Sequence, residues 1–231
     1  MKKNLILLHG ALGSKAQFRE LETLLKNDFN TITFNFEGHG GRATTKKYTI
    51  ELFAKNTVQI LEEHAVEKTA VFGYSMGGYV ALHLALKHPE KVSKIVTLGT
   101  KFNWTKETAA KEIKMLDPDT IMEKVPQFAV RLAELHHPLS WRSVVENTAQ
   151  MMYDLGQGNQ LTLKDMENIQ QPVLIGIGSK DTMVTIEESK RIAEHLPSGT
   201  GMVIDGFPHP IEKTDKTILA KIIIRFINKN S

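Results

Sequence analysis

Short apolar runs alternate along the chain with segments whose apolar residues recur every three or four positions, the two periods that separate strands from helices. Strand-length runs fall at 4–8, 31–36, 69–74, 92–98, 173–177 and 202–204. Helical periodicity falls around 16–26, 49–63, 76–87 and 215–228, with Pro89 just beyond the third, where a helix stop is expected. On the last of these, Ile218, Leu219, Ile222, Ile223 and Phe226 read as a core-facing stripe. Such uniformly apolar strands separated by helices predict an α/β fold, a mostly parallel six-stranded sheet with helices on both faces.

The alternation breaks between about 101 and 171, where several amphipathic helices follow one another without a convincing strand. Asp117-Pro118-Asp119 marks one helix start, since proline suits the first helical position. Ser140 is placed to cap another helix beginning at Trp141. An all-helical insertion after a strand of a parallel sheet is a candidate lid. The expected organisation is therefore one domain over 1–231, with a core of 1–100 and 172–231 and a helical cap over about 101–171.

Composition narrows the function classes. The net charge of +3 is spread over interleaved lysines and acids, so the basic stripe of a nucleic-acid binder is missing. With no cysteine, a disulfide framework, a thiolate metal site and a cysteine nucleophile are all excluded. The start, MKKNLILLHG, imitates a signal peptide, but its apolar run ends well short of the ~7–15 residues a signal needs. It reads as a first strand. No window approaches the ~20 apolar residues of a membrane span, and a cytoplasmic location is expected.

The sharpest chemical signal is Gly73-Tyr74-Ser75-Met76-Gly77-Gly78, a G-x-S-x-G pattern with a strand before it and a helix after it. A serine on such a turn stands exposed above the sheet edge, and the glycines leave room that a Cβ would fill. Ser75 is the candidate nucleophile. A second signal, His9-Gly10-Ala11-Leu12-Gly13-Ser14, follows the first strand directly. Acyl transfer builds negative charge on an oxygen and needs preformed donors. The backbone N–H groups of Ala11 and Met76 are the candidate oxyanion hole, while His9 precedes the turn and reads as structural.

Two further motifs follow the fifth and sixth strands: Gly178-Ser179-Lys180-Asp181 and Gly206-Phe207-Pro208-His209-Pro210. Both fall at the carboxyl edge of the sheet, where open α/β sheets bind ligands. A serine hydroxyl needs an adjacent base to become a nucleophile. His209 is the candidate base and Asp181 the carboxylate that fixes its tautomer. Asp205 is the rival acid, too near His209 in sequence to turn back easily onto it. His136 and His137 lack metal-ligand spacing with carboxylates, so no metal site is expected.

With HGALGS, GYSMGG, GSKD and FPHP in this order, nearly the whole chain resembles the α/β-hydrolase superfamily, specifically its small members with a helical cap. The resemblance implies the α/β-hydrolase fold, the roles given to Ser75, Asp181 and His209, and no cofactor. It also implies that strand 4–8 corresponds to the family's third. The chain departs from the pattern at Phe36-Glu37-Gly38-His39-Gly40-Gly41-Arg42, where relatives usually carry an Asp-containing turn ending in G-H-G-x-S. His39 reads there as a loop-packing residue.

The expected activity is that of a carboxylesterase-like serine hydrolase, cleaving small carboxylic esters through a covalent acyl-enzyme. Its partner would be a small-molecule ester, and the oligomeric state is left open. A lyase of the menaquinone-pathway type, using the same triad, is one alternative. Its nucleophile motif commonly continues with Arg where this chain has Tyr79, although Arg131 and Arg142 offer charge for an acidic substrate. A ligand receptor on a hydrolase scaffold is another. Leu12, Phe128 and Trp141 are candidate substrate-binding residues. Of the cap's other large apolar residues, Phe102, Trp104, Met115, Met122, Met151 and Met152, most are expected to bury helix faces and some to line the pocket mouth. Such a lining favours a hydrophobic acyl or alcohol part.

Overall fold

The computed structural model describes residues 2–229. Among them, six strands form one all-parallel sheet in the order β2-β1-β3-β4-β5-β6. They are β1 (Lys3–Leu8), β2 (Phe29–Thr33), β3 (Thr69–Tyr74), β4 (Val92–Leu98), β5 (Val173–Lys180) and β6 (Gly199–Pro208). The chain moves from β1 outward to β2, then back past β1 to β3. This reversal puts a topological switch point at the carboxyl ends of β1 and β3, the crevice in which open α/β sheets bind ligands.

Side chains alternate between the two faces, as the period of a strand requires. Leu5, Leu7, Phe72, Val96 and Leu174 pack beneath α1 (Arg19–Leu25) and α10 (Lys216–Asn228). Ile6, Leu8, Val71, Ile95 and Val173 pack beneath α2 (Ile50–Glu63), α3 (Met76–Lys87) and α9 (Ile186–His195). The Thr49 hydroxyl caps α2, accepting from Leu52 N–H at 2.9 Å.

Between β4 and β5 the chain is helical, with α4 (Lys106–Ile113), α5 (Pro118–Lys124), α6 (Pro126–His136), α7 (Trp141–Asp154) and α8 (Leu163–Glu167). Asp117 and Ser140 cap α5 and α7 through their side chains. None of the described helices is long and apolar enough to cross a membrane.

Three differences from the sequence expectation have physical causes. The helix expected at 16–26 is a 3-10 turn, Lys15–Phe18, followed by the short α1. Strand β2 starts at Phe29 and ends at Thr33, because its one partner, β1, supplies pairing from Lys3 to Leu7. Phe34 and Phe36 are buried beyond that edge without extending the strand. Ile218 is exposed, and the buried face of α10 is Leu219, Ala220, Ile223 and Ile227.

Phe72 lies at the centre of the sheet, fully buried and edge-on to Phe18 at 5.9 Å. Truncation to alanine opens a cavity that a close-packed core cannot collapse into. We expect Phe72→Ala to lower the unfolding free energy by about 3–5 kcal/mol in urea denaturation. A loss below about 1 kcal/mol would contradict the packing described.

Candidate active site

The register of β1 and β3 builds the site. Leu8 lies opposite Gly73, so the loop after β1 and the turn after β3 emerge side by side. Ser75 occupies that turn with φ 51° and ψ −117°, a left-handed conformation that an L-residue holds only when its surroundings enforce it. The surroundings do so. A Cβ on Gly77 would run into the carbonyl oxygen of Leu8, and one on Gly73 into the backbone of Gly77 and Gly78. Helix α3 therefore starts pressed against the end of β1.

Backbone bonds lock the turn from both sides. Ser75 N–H donates to Leu98 O at 2.8 Å, and the Thr100 hydroxyl donates to Ser75 O at 3.0 Å. Serine at a helix N-cap usually spends its hydroxyl on the first turn. Here the side chain makes no capping bond, and Ser75 lines a cavity instead.

Asp181 and His209 meet as the sequence expectation put them, His209 Nδ1 to Asp181 Oδ2 at 2.8 Å. Oδ1 of Asp181 accepts from the N–H groups of Met183 at 2.8 Å and Val184 at 2.9 Å. Burial alone would raise this carboxyl. The imidazole and the two N–H donors outweigh burial and hold it below the ordinary carboxylate range. An ionised Oδ2 accepts, so Nδ1 carries the proton and Nε2 is left as an acceptor. The Tyr74 hydroxyl donates to the His209 carbonyl at 3.1 Å, tying the histidine loop to the residue before Ser75. Asp205 instead accepts from the Ser179 hydroxyl at 2.9 Å.

The loop after β1 rests on three buried histidines. His9 Nε2 accepts from Phe36 N–H at 3.1 Å, so its Nδ1 donates to Gly10 O at 2.9 Å. His136, on α6, accepts from Gly40 N–H at 3.0 Å, so its Nε2 donates to Leu12 O at 3.2 Å. His39 lies between them, 5.2 Å from the ring of His9 and 5.8 Å from that of His136. Each of these bonds needs a neutral imidazole. Burial drives the His9 pKa down to about 4 and lowers those of His39 and His136 as well.

The cavity holds about 490 Å³ of atom-free space, part of it open to solvent. Ser75, Met76, Ala11 and His209 line it from the sheet side. Trp104, Glu112, Met151, Met152 and Leu155 line it from the helical segment between β4 and β5. Leu12, Phe128 and Trp141 do not line this cavity. Leu12 and Trp141 pack on a separate cluster of α5, α6 and α7, and Phe128 is exposed. Arg131 and Arg142 also lie elsewhere, paired with Glu212 at 3.6 Å and Asp119 at 2.7 Å. Sequence reasoning missed Tyr79, Lys101 and Glu112 as lining residues. Tyr79 was within reach, since it lies one helical turn beyond Ser75.

The family model described as alpha/beta hydrolase fold matches residues 3–212. The chain is 24% identical over 258 residues to an uncharacterized hydrolase of Bacillus subtilis, covering 98% of this chain and 90% of that one. It is 24% identical over 245 residues to the pimeloyl-[acyl-carrier protein] methyl ester esterase of Vibrio vulnificus, covering 98% and 94%. A thermophilic esterase from Thermogutta terrifontis superposes with a TM-score of 0.80 at 17% identity, over 98% of this chain and 90% of that one. At that identity the superposition shows the fold.

The histidine cluster makes stability depend on pH with a definite sign. Between about pH 6.5 and 4 the unfolded chain binds a proton at His9 that the folded chain refuses. Stability is then complete above pH 6.5 and falls as the pH drops, by about 3 kcal/mol from His9 alone at pH 4. His39 and His136 shift the same way and add to the loss. Urea unfolding at pH 7.5 and pH 4.5 checks this, and equal midpoints would refute it.

Proposed function

The chain belongs to the alpha/beta hydrolase fold family, and from that membership we propose a serine hydrolase that cleaves small carboxylic esters through a covalent acyl-enzyme. The observation that carries the reading is one cavity holding both a serine on a strained strand-to-helix turn and an imidazole fixed by a buried carboxylate. The methyl ester esterase of Vibrio vulnificus supports the ester as the bond cleaved.

In this mechanism His209 Nε2 takes the proton of the Ser75 hydroxyl as Oγ attacks the ester carbonyl. Asp181 keeps Nδ1–H in place and stabilises the imidazolium as it forms. The negative charge that develops on the carbonyl oxygen falls between the N–H groups of Ala11 and Met76. Met76 opens α3, so its N–H lies among those that a helix leaves without an internal acceptor. Collapse of the tetrahedral intermediate expels the alcohol, which takes its proton from His209. Water, deprotonated by His209, then attacks the acyl-enzyme, releases the acid and restores Ser75.

The helical segment between β4 and β5 acts as the cap. It closes the cavity with Trp104, Met151, Met152 and Leu155, a wall suited to an apolar acyl or alcohol part.

Turnover of p-nitrophenyl butyrate tests the assignment. Ser75→Ala is expected to lose about 10⁵–10⁶-fold in kcat. Asp181→Asn, which leaves the shape but offers the wrong hydrogen-bonding partner, is expected to lose about 10⁴-fold. Unchanged turnover in either variant would overturn the role given to that residue.

A further inference from the structure

The cavity wall holds one feature that ester hydrolysis does not use. Lys101, just after β4, and Glu112, on α4, form an ion pair at 3.3 Å among the lining residues. The Glu112 side chain is 8% exposed and that of Lys101 is 17% exposed. Around them the wall is apolar, with Ile50, Met76, Met151, Met152 and Leu155.

Such a pair is a poor stabiliser. Taking both charges out of water costs several kcal/mol per ion, and well-packed apolar replacements are often as stable or more so. The pair is also incompletely served. Among the described residues, Lys101 is the one polar partner of the Glu112 carboxylate, although a carboxylate offers about four acceptor positions. Lys101 Nζ has Glu112 and, at 6.0 Å, the face of the Trp104 ring, which leaves N–H donors free. The backbone beside Lys101 is nevertheless held firmly. The Glu188 carboxylate, from α9, accepts from the N–H groups of both Phe102 and Asn103. The Trp104 indole N–H donates to Lys101 O at 3.2 Å. A pre-positioned pair with spare donors and acceptors, facing a cavity, has the form of a recognition site.

We propose that Lys101 and Glu112 form a polar subsite for a neutral group that both donates and accepts hydrogen bonds, a hydroxyl or carboxamide at the far end of the ester's apolar part. Neutrality follows from the pair itself. A carboxylate end would meet Glu112 and an ammonium end would meet Lys101, whereas a hydroxyl donates to one and accepts from the other. The subsite deepens the hydrolase reading and rests on it for the identity of the reacting bond.

The test compares p-nitrophenyl esters of pentanoic to octanoic acids with their ω-hydroxy, ω-carboxy and ω-amino counterparts. At the best-fitting length the ω-hydroxy ester should exceed the plain alkyl ester about 10-fold in kcat/KM, the size expected for a hydrogen bond to a charged group. Both charged ends should fall below the hydroxyl. In the Lys101→Met, Glu112→Leu double variant the hydroxyl preference should fall to about one. An alkyl ester equal or superior at every length in the wild type would overturn the subsite, as would a preference that survives the double variant. Ligand-observed NMR on Ser75→Ala with the methyl esters of the same acids separates the two readings. Failure of all turnover would sink the hydrolase reading, while the binding preference of the inert protein decides the subsite by itself.

Discussion

The arrangement depends on one constraint, the positive φ of Ser75, which α3 imposes by starting hard against the end of β1. That contact is possible because β1 and β3 are parallel neighbours with Leu8 opposite Gly73, and because Gly77 carries no Cβ. The conformation is costly for serine, of order 1–3 kcal/mol, and it persists through the bonds from Ser75 to Leu98 and Thr100. Its consequence is chemical. A hydroxyl that would otherwise cap α3 faces the cavity shared with His209, while Tyr74, one residue earlier, fastens the His209 backbone. The Ser75 turn and the histidine loop are thus tied together.

The histidines beneath the site are neutral, whereas the carboxylate proposed to act in it is charged. His9 and His136 give both ring nitrogens to backbone groups and so hold the loop around Ala11 from below. His39 fills the space between them against Tyr48 and Phe53, with its Nε2 buried and unpartnered among the described residues. Asp181 is the contrasting case, a buried carboxylate kept ionised by an imidazole and two N–H donors. A low-dielectric surrounding strengthens each of these bonds and penalises any that is lost. The loop over residues 36–42 is part of this support, since Gly40 and Phe36 donate to the histidines.

Much of the fold and of the candidate site's geometry was legible because local signals agreed with the tertiary structure. β3, β4 and α3 fall at their expected bounds, and the Asp117 and Ser140 caps mark real helix starts. What escaped has a common cause, dependence on partners distant in sequence. Phe34 and Phe36 look like strand residues, yet Phe36 N–H goes to His9 because β1 has run out of pairing positions. β6 is longer than its short apolar run because pairing with β5 carries it from Gly199 to Pro208. Lys101 and Glu112 resemble any charged residues near a helix until packing buries Glu112, and partly buries Lys101, against the cavity. The pocket wall is set by how the helices between β4 and β5 lean on the sheet, which no short window of sequence records.

The central claim is that Ser75 is the activated nucleophile. The most direct measurement is peptide mapping of the intact protein after reaction with a fluorophosphonate, which modifies only a serine whose proton has somewhere to go. The account predicts a single adduct on the peptide carrying Ser75, and none when the same reaction is run on His209→Ala. An adduct on any other residue, or equal labelling without His209, would contradict it.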